Sequence, residues 1–180
     1  MKDEKPYVPE DNRLNDLTKY AEVKKRMSER GVELIDIAKL TCELQSQYVK
    51  DIKLETCLQH VERVVMKREV QHAILTGLEL DIPAEKRILS EPLLSMILGD
   101  YGLFGIDEIL ALSIVNVYGS IGFTNFGYVD KVKPGIIGDL DRQGKETGQC
   151  NTFLDDIVGA IVAAAASSIA HRYSVWLNKT

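Results

Sequence analysis

The chain has 180 residues, 45% of them hydrophobic and 27% charged, with a formal net charge of −5. That length and balance favour one globular domain with a real core, and they exclude a global basic field that would draw the chain to nucleic acid. Cys42, Cys57 and Cys150 stand apart with no CxxC spacing, which fits reduced thiols in a cytoplasmic setting rather than a disulfide framework.

The opening MKDEKPYVPEDNR mixes acids, bases and prolines with no apolar run, so it is not a secretory signal. Residues 1–12 read as a flexible tail and 13–180 as a single domain. A mostly polar helix is expected over 13–30, stopped by Gly31. The next, over 32–49, carries Leu34, Ile37, Leu40 or Thr41, Leu44 and Tyr48 at three-and-four spacing. A longer helix over 55–76 has Leu58, Val61, Val65, His72 and Leu75 along one side and is closed by Gly77. Ile82-Pro83 opens a short helical piece, and Ser90-Glu91-Pro92 restarts the chain as LLSMIL, with proline in the first turn.

The second half is less charged. A helix over 107–120 has no charge after Asp107 and Glu108 and is expected at the centre, with other helices around it. Residues 121–150 hold six of the thirteen glycines and read as a long irregular stretch with a short helix near 125–132. Residues 151–172 form the last helix, headed by Asp155 and Asp156, with small residues Gly159, Ala160, Ala163 and Ala164 that let neighbours approach closely. The apolar runs 109–123 and 157–170, at 15 and 14 residues, fall short of the ~20 that a membrane span needs. No alternating strand pattern occurs, so the fold class is all-α: a compact multi-helix domain with a central apolar helix surrounded by others.

Acids are the conspicuous chemistry. Asp107-Glu108 and Asp155-Asp156 each head an apolar helix, and Asp130, Asp139 and Asp141 lie between them. Each pair alone is explained as a favourable charge at a helix N-terminus. If the two apolar helices pack side by side and parallel, four carboxylates converge, with Lys131, Lys133 and Arg142 to offset them. Converging carboxylates raise one another's pKa unless a cation intervenes, and an all-oxygen donor set suits Mg²⁺, with Mn²⁺ as a substitute, rather than zinc. Lys133 and Arg142 are either solvated surface cations or phosphate-binding groups.

Three motif matches fail on context. Cys57-x5-Arg63 lies inside an amphipathic helix without a glycine cradle. Asp139-Leu-Asp141 resembles a haloacid-dehalogenase nucleophile motif but lacks the α/β pattern. As a calcium loop the same segment places Cys150 where a bidentate Glu is needed. His60, His72 and His171 share no ligand or triad spacing.

From Gly105 to about Ala166 the sequence resembles the phosphatidylglycerophosphatase A family. Three blocks carry the likeness: IDEILA with Asp107-Glu108; VDKVKPGIIGDLDR with Asp130, Lys133, Pro134, Asp141 and Arg142; and TFLDDIVGA with Thr152, Asp155, Asp156 and Gly159. The chain departs from the membrane-embedded members in having no Gly-Thr-x-Gly-Ser type block, Gly127 where they tend to have arginine, and Ile136 where they tend to have proline. It looks like a soluble, all-helical branch found in Gram-positive bacteria, with polar amphipathic helices in place of the first hydrophobic segment.

The resemblance implies Mg²⁺-dependent hydrolysis of a phosphomonoester, phosphatidylglycerol phosphate to phosphatidylglycerol. Asp107, Glu108, Asp130, Asp155 and Asp156 would be the metal ligands. Lys133 and Arg142 would offset phosphoryl charge, and Asp156 is the carboxylate favoured as general base. Two other readings stand beside it: an all-α nucleotide pyrophosphohydrolase, and a non-enzymatic helical oligomeric or regulatory protein that retains an acidic metal site. A homo-oligomer, a phospholipid headgroup as substrate, no nucleic-acid partner, no transmembrane span and peripheral contact with the inner face of the membrane complete the expectations.

Overall fold

The structure, a computed structural model, describes residues 16–100 and 104–177; the expected tail over 1–12 lies outside them. The described residues form α1 (Asp16–Glu29), α2 (Leu34–Ser46), α3 (Leu54–Val65), α4 (Arg68–Glu85), α5 (Leu93–Gly99), α6 (Ile106–Val115), a 3-10 turn (Asn116–Tyr118), α7 (Gly119–Val132), α8 (Ile136–Thr147) and α9 (Leu154–Leu177). No strand occurs among them. The fold is all-α, as expected.

The central helix is α9 rather than 107–120. Every residue from Asn151 to Ser167 is buried, and α2, α3, α4, α6, α7 and α8 all pack on α9. Small side chains are the reason: Ala160 and Ala163–166, with Ile157, Val158, Ile161 and Val162 between them, leave no bulky ridge to hold neighbours away. By contrast α6 keeps Ile106 and Ile109 more than half exposed, and Val117, Phe123, Tyr128 and Val132 further along the chain are exposed as well.

Four boundaries differ from the sequence reading. The helix expected over 55–76 divides at Met66–Lys67, where Lys67 is extended (φ −70°, ψ 135°) and Gln71 Nε2 donates to the freed Met66 carbonyl at 3.2 Å. Gly77 closes nothing. It lies inside α4, where a Cβ would stand 2.4 Å from Ile157 Cδ1 and 3.0 Å from Phe153 Cβ, so glycine here lets α4 approach α9. Pro83 sits in the last turn of α4 instead of opening a new piece. The helix expected over 107–120 breaks at the 3-10 turn and Gly119 (φ 69°), and Ser167 Oγ of α9 pins that break by donating to Tyr118 O at 3.0 Å.

The stretch over 121–150 is mostly helical, as α7 and α8. It turns at Lys133-Pro134-Gly135, where Lys133 is left-handed (φ 45°). Ile137 and Leu140 bury one side of α8, so its glycines sit in an amphipathic helix and not in a loop.

Taken through these elements, two stretches are longer than the apolar runs read from sequence. Ile106–Val132 (27 residues) and Leu154–Tyr173 (20 residues) are long and apolar enough to cross a membrane, counted by length and composition alone. The second is 83% buried by its neighbours, which is how a core helix passes such a test.

Candidate metal centre and active site

The start of α9 is held from four other elements. Asp81 of α4 is fully buried, and its carboxylate accepts the Phe153 N–H (3.1 and 3.3 Å) and the Leu154 N–H (3.0 Å), two donors that no intrahelical carbonyl can reach. Arg30, at the end of α1, donates to Cys150 O (2.6 Å) and Asn151 Oδ1 (2.9 Å) and is itself paired with Glu85 (2.8 Å). Asn151 Nδ2 reaches Leu140 O of α8 (3.0 Å), and Thr152 Oγ1 reaches Ile97 O of α5 (2.8 Å). Asp155 and Asp156 are therefore carried on a rigid first turn. The backbone cap of α9 is Asp81, which leaves the two acids at its head free for other contacts.

Asp81 escaped the sequence reading because a break was expected at Ile82-Pro83. Its signal was there: an acid on the same face as Ile74, Gly77 and Leu78 of one continuous helix.

The first turns of α6 and α9 meet. One carboxylate oxygen from each of Asp107, Glu108 and Asp156 lies within 4.8 Å of the other two. Asp107 Oδ1 and Glu108 Oε2 are buried without a hydrogen-bond partner. Such oxygens are costly to leave bare, and three carboxylates at this spacing are a donor set for one hard cation, of the kind Mg²⁺ or Mn²⁺ accepts. Electrostatics agree. Burial pushes the Asp156 carboxyl up to about 9; Asp155, Asp130 and Asp107 add to the rise, and Lys133 opposes it. Burial, and then the neighbouring Glu108 carboxylate, push Asp107 up to about 7. A divalent ion would relieve both.

Beside this group stands an ammonium. Lys133, left-handed at the end of α7, points Nζ at Asp155 Oδ2 (2.6 Å) with Asp130 Oδ1 at 3.9 Å. Burial works to lower the lysine pKa, but Asp155, then Asp156 and Asp130, outweigh it and hold it above the usual lysine value. Burial raises Asp155 to about 6 against the pull of Lys133; its second oxygen accepts the Asp156 N–H at 2.9 Å.

Of the residues singled out from sequence, Asp107, Glu108 and Asp156 come to one point, and Asp130, Lys133 and Asp155 form a second group next to them. Arg142 is not brought to either: it is exposed on α8 and its guanidinium pairs with Asp139, one turn back along the helix. Asp155 also lines a cleft of about 340 Å³, together with Arg87, Asp100, Asp141, Gln149, Asn151 and Thr152. Arg87 and Asp100 carried no sequence signal.

An all-helical domain with clustered carboxylates and a lysine at the mouths of two helices defines a class of acid-rich, helix-borne sites suited to phosphoesters. The family model for phosphatidylglycerophosphatase A matches residues 36–171, and the chain belongs to that family. It is 59% identical to the uncharacterized protein YutG of Bacillus subtilis (strain 168) over 84% of this chain and 90% of that one. It is 51% identical to the uncharacterized protein YpjQ of the same organism, over 90% and 87%. Among solved structures it is similar to a protein of unknown function from Bacillus stearothermophilus (TM-score 0.82, 59% identity, 85% of this chain and 94% of that one). It is also similar to the low temperature requirement C protein of Listeria monocytogenes (TM-score 0.81, 56% identity, 87% and 97%).

Proposed function

We propose that the chain is a Mg²⁺-dependent phosphomonoester hydrolase acting on the headgroup phosphate of phosphatidylglycerol phosphate. The observation that carries this reading is the meeting of Asp107, Glu108 and Asp156, two of whose oxygens are buried and unpartnered, next to the Lys133 ammonium. Those three carboxylates would hold the ion. Once bound, Mg²⁺ supplies positive charge to the phosphoryl oxygens and acidifies a water.

The rest is done by the chain. Lys133, kept protonated by Asp155 and Asp130, stabilises charge on the transferring group. Asp155 fixes that ammonium and, through its contact with the Asp156 N–H, the orientation of the turn. Asp156, which the bound ion would keep ionised, is the carboxylate assigned to take a proton from the attacking water. The cleft beyond Asp155 offers room for the alcohol part of the substrate. Arg142, turned to Asp139, is given no part.

The test is orthophosphate release with Mg²⁺ from phosphatidylglycerol phosphate, compared with water-soluble monoesters and nucleoside triphosphates. Preferential release from the lipid supports the proposal. Pyrophosphate from the triphosphates would replace it with a pyrophosphohydrolase, and metal binding with no turnover would replace it with a structural ion site.

A further inference from the structure

Residues 109–129 include no charged side chain, in a chain that is 27% charged. Nine residues between Asn116 and Tyr128 are nonetheless exposed, the large ones being Val117, Ile121, Phe123 and Tyr128. On α7 exposed positions recur every three or four residues, at Ser120, Thr124, Gly127 and Lys131, so they share one outer face. The buried residues of this helix, Gly122, Phe126 and Val129, lie on its other side. Thr124, at the middle of the outer face, donates its hydroxyl to Ser120 O (3.1 Å), so covering it sacrifices no hydrogen bond.

Gly127 says what kind of surface belongs there. A glycine inside a helix weakens it relative to alanine, and what it offers in return is close approach. At Gly77, Gly122, Gly138, Gly144 and Gly159 a Cβ would meet another atom of the chain at 3.5 Å or less; at Gly127 it would meet nothing within 4 Å. What comes close at Gly127 is therefore not among the described residues. Residues 1–15 carry seven charges and two prolines, the wrong chemistry for an uncharged face. Fluid hydrocarbon adapts to any side chain and gains nothing from a glycine. Lipid surfaces are also recognised by clustered Lys and Arg, of which 109–132 has Lys131 alone. A rigid helix does gain from one.

We propose that the outer face of α7 docks a second copy of this chain, α7 antiparallel to α7 about a two-fold axis between Thr124 and Gly127. Thr124 of one copy then lies against Gly127 of the other, and Phe123 against Tyr128, so small residues meet at the axis and aromatic rings beside it. A two-fold contact sets a patch on itself, and a charge near the axis would meet its own like; the uncharged run removes that cost. The area suffices. Taking roughly 150–250 Å² for a large side chain, the exposed surface from Asn116 to Val132 is on the order of 600 Å², and two copies reach the ~1,200 Å² at which specific interfaces begin. The contact stands whether or not the acid cluster is catalytic.

The test is sedimentation of the full chain at micromolar concentration. The natural chain is expected at twice the 20.1 kDa of one chain, or an even multiple of it. Gly127→Arg starts its new side chain in open space, and Phe123→Asp changes an exposed ring, so both should keep the helical circular-dichroism spectrum. Each should sediment at half the natural mass, with association weakened at least about 30-fold. Ile88→Asp, exposed between α4 and α5, should keep the natural mass. A monomeric natural chain, or a natural mass retained by both Gly127→Arg and Phe123→Asp, would overturn the proposal. If that monomer bound phosphatidylglycerol vesicles and Phe123→Asp did not, the face would belong to lipid instead.

Discussion

Two stretches of this chain are equally apolar and differently used. Ile106–Val132 and Leu154–Tyr173 share a mean hydropathy of 1.4, yet the first is 28% buried and the second 83%. Shape separates them. The second is one unbroken helix of small side chains that six other helices can surround; the first is broken at Gly119 and leaves isoleucines and aromatics exposed. Mean hydropathy measures transfer out of water and is blind to how closely backbones can approach, which is what makes a helix central.

The largest effect that sharpens this comparison is a pair of matched substitutions. Ala163→Asn should cost about 2–4 kcal/mol or prevent folding, because an amide is forced into a packed, apolar site. Ile109→Asn, on a side chain 62% exposed, should cost no more than about 0.5 kcal/mol. Urea unfolding of both variants decides it, and equal costs would erase the distinction.

Next in size is the cap between α4 and α9. Asp81→Ala leaves two buried N–H groups without an acceptor and should destabilise by about 2–4 kcal/mol, with Asp81→Asn costing less because one acceptor is kept. Thermal unfolding measures this. Near-identical melting of Asp81→Ala and the natural chain would show that the start of α9 is held by other contacts.

At the active end, Asp107→Asn and Asp156→Asn should each lower Mg²⁺-dependent phosphate release by about 100-fold or more, as loss of a metal ligand or of the general base does. Arg142→Ala should stay within about 3-fold, since an exposed ion pair contributes little. A large loss in Arg142→Ala would bring α8 into the site.

A smaller effect is pH dependence without metal. Burial raises the folded carboxyls of Asp155, Asp81, Asp107 and Asp156 to about 6, 7, 7 and 9. The folded chain therefore holds more protons than the unfolded one above the ordinary aspartate range. Stability should fall as pH rises from about 4 towards about 9. Millimolar Mg²⁺ should restore part of it at the alkaline end by replacing those protons. Melting temperatures in chelator and in Mg²⁺ across this window test the sign.

The acids were legible in the sequence because charge at the head of an apolar run stands out, and the blocks around Asp107, Asp130 and Asp156 carried a family likeness. Which of them would share a point was not legible. Asp155 turns to Lys133 through a left-handed residue that no spacing rule foretells, and Arg142 turns back along α8 to Asp139. Glycine misled in the same way three times. At Gly77, Gly138 and Gly144 it serves helices, and at Gly77 the cause is contacts 76 or more residues away in sequence, which no local pattern contains. Asp81 was hidden for that reason too: its partners are the N–H groups of Phe153 and Leu154.

The most direct measurement is Mn²⁺ titration of the full chain by calorimetry, repeated with Asp156→Asn. One ion per chain with the natural sequence, and binding at least about 10-fold weaker in the variant, is the expected result. Absence of binding, or equal affinity in both, would mean that Asp107, Glu108 and Asp156 do not share a cation.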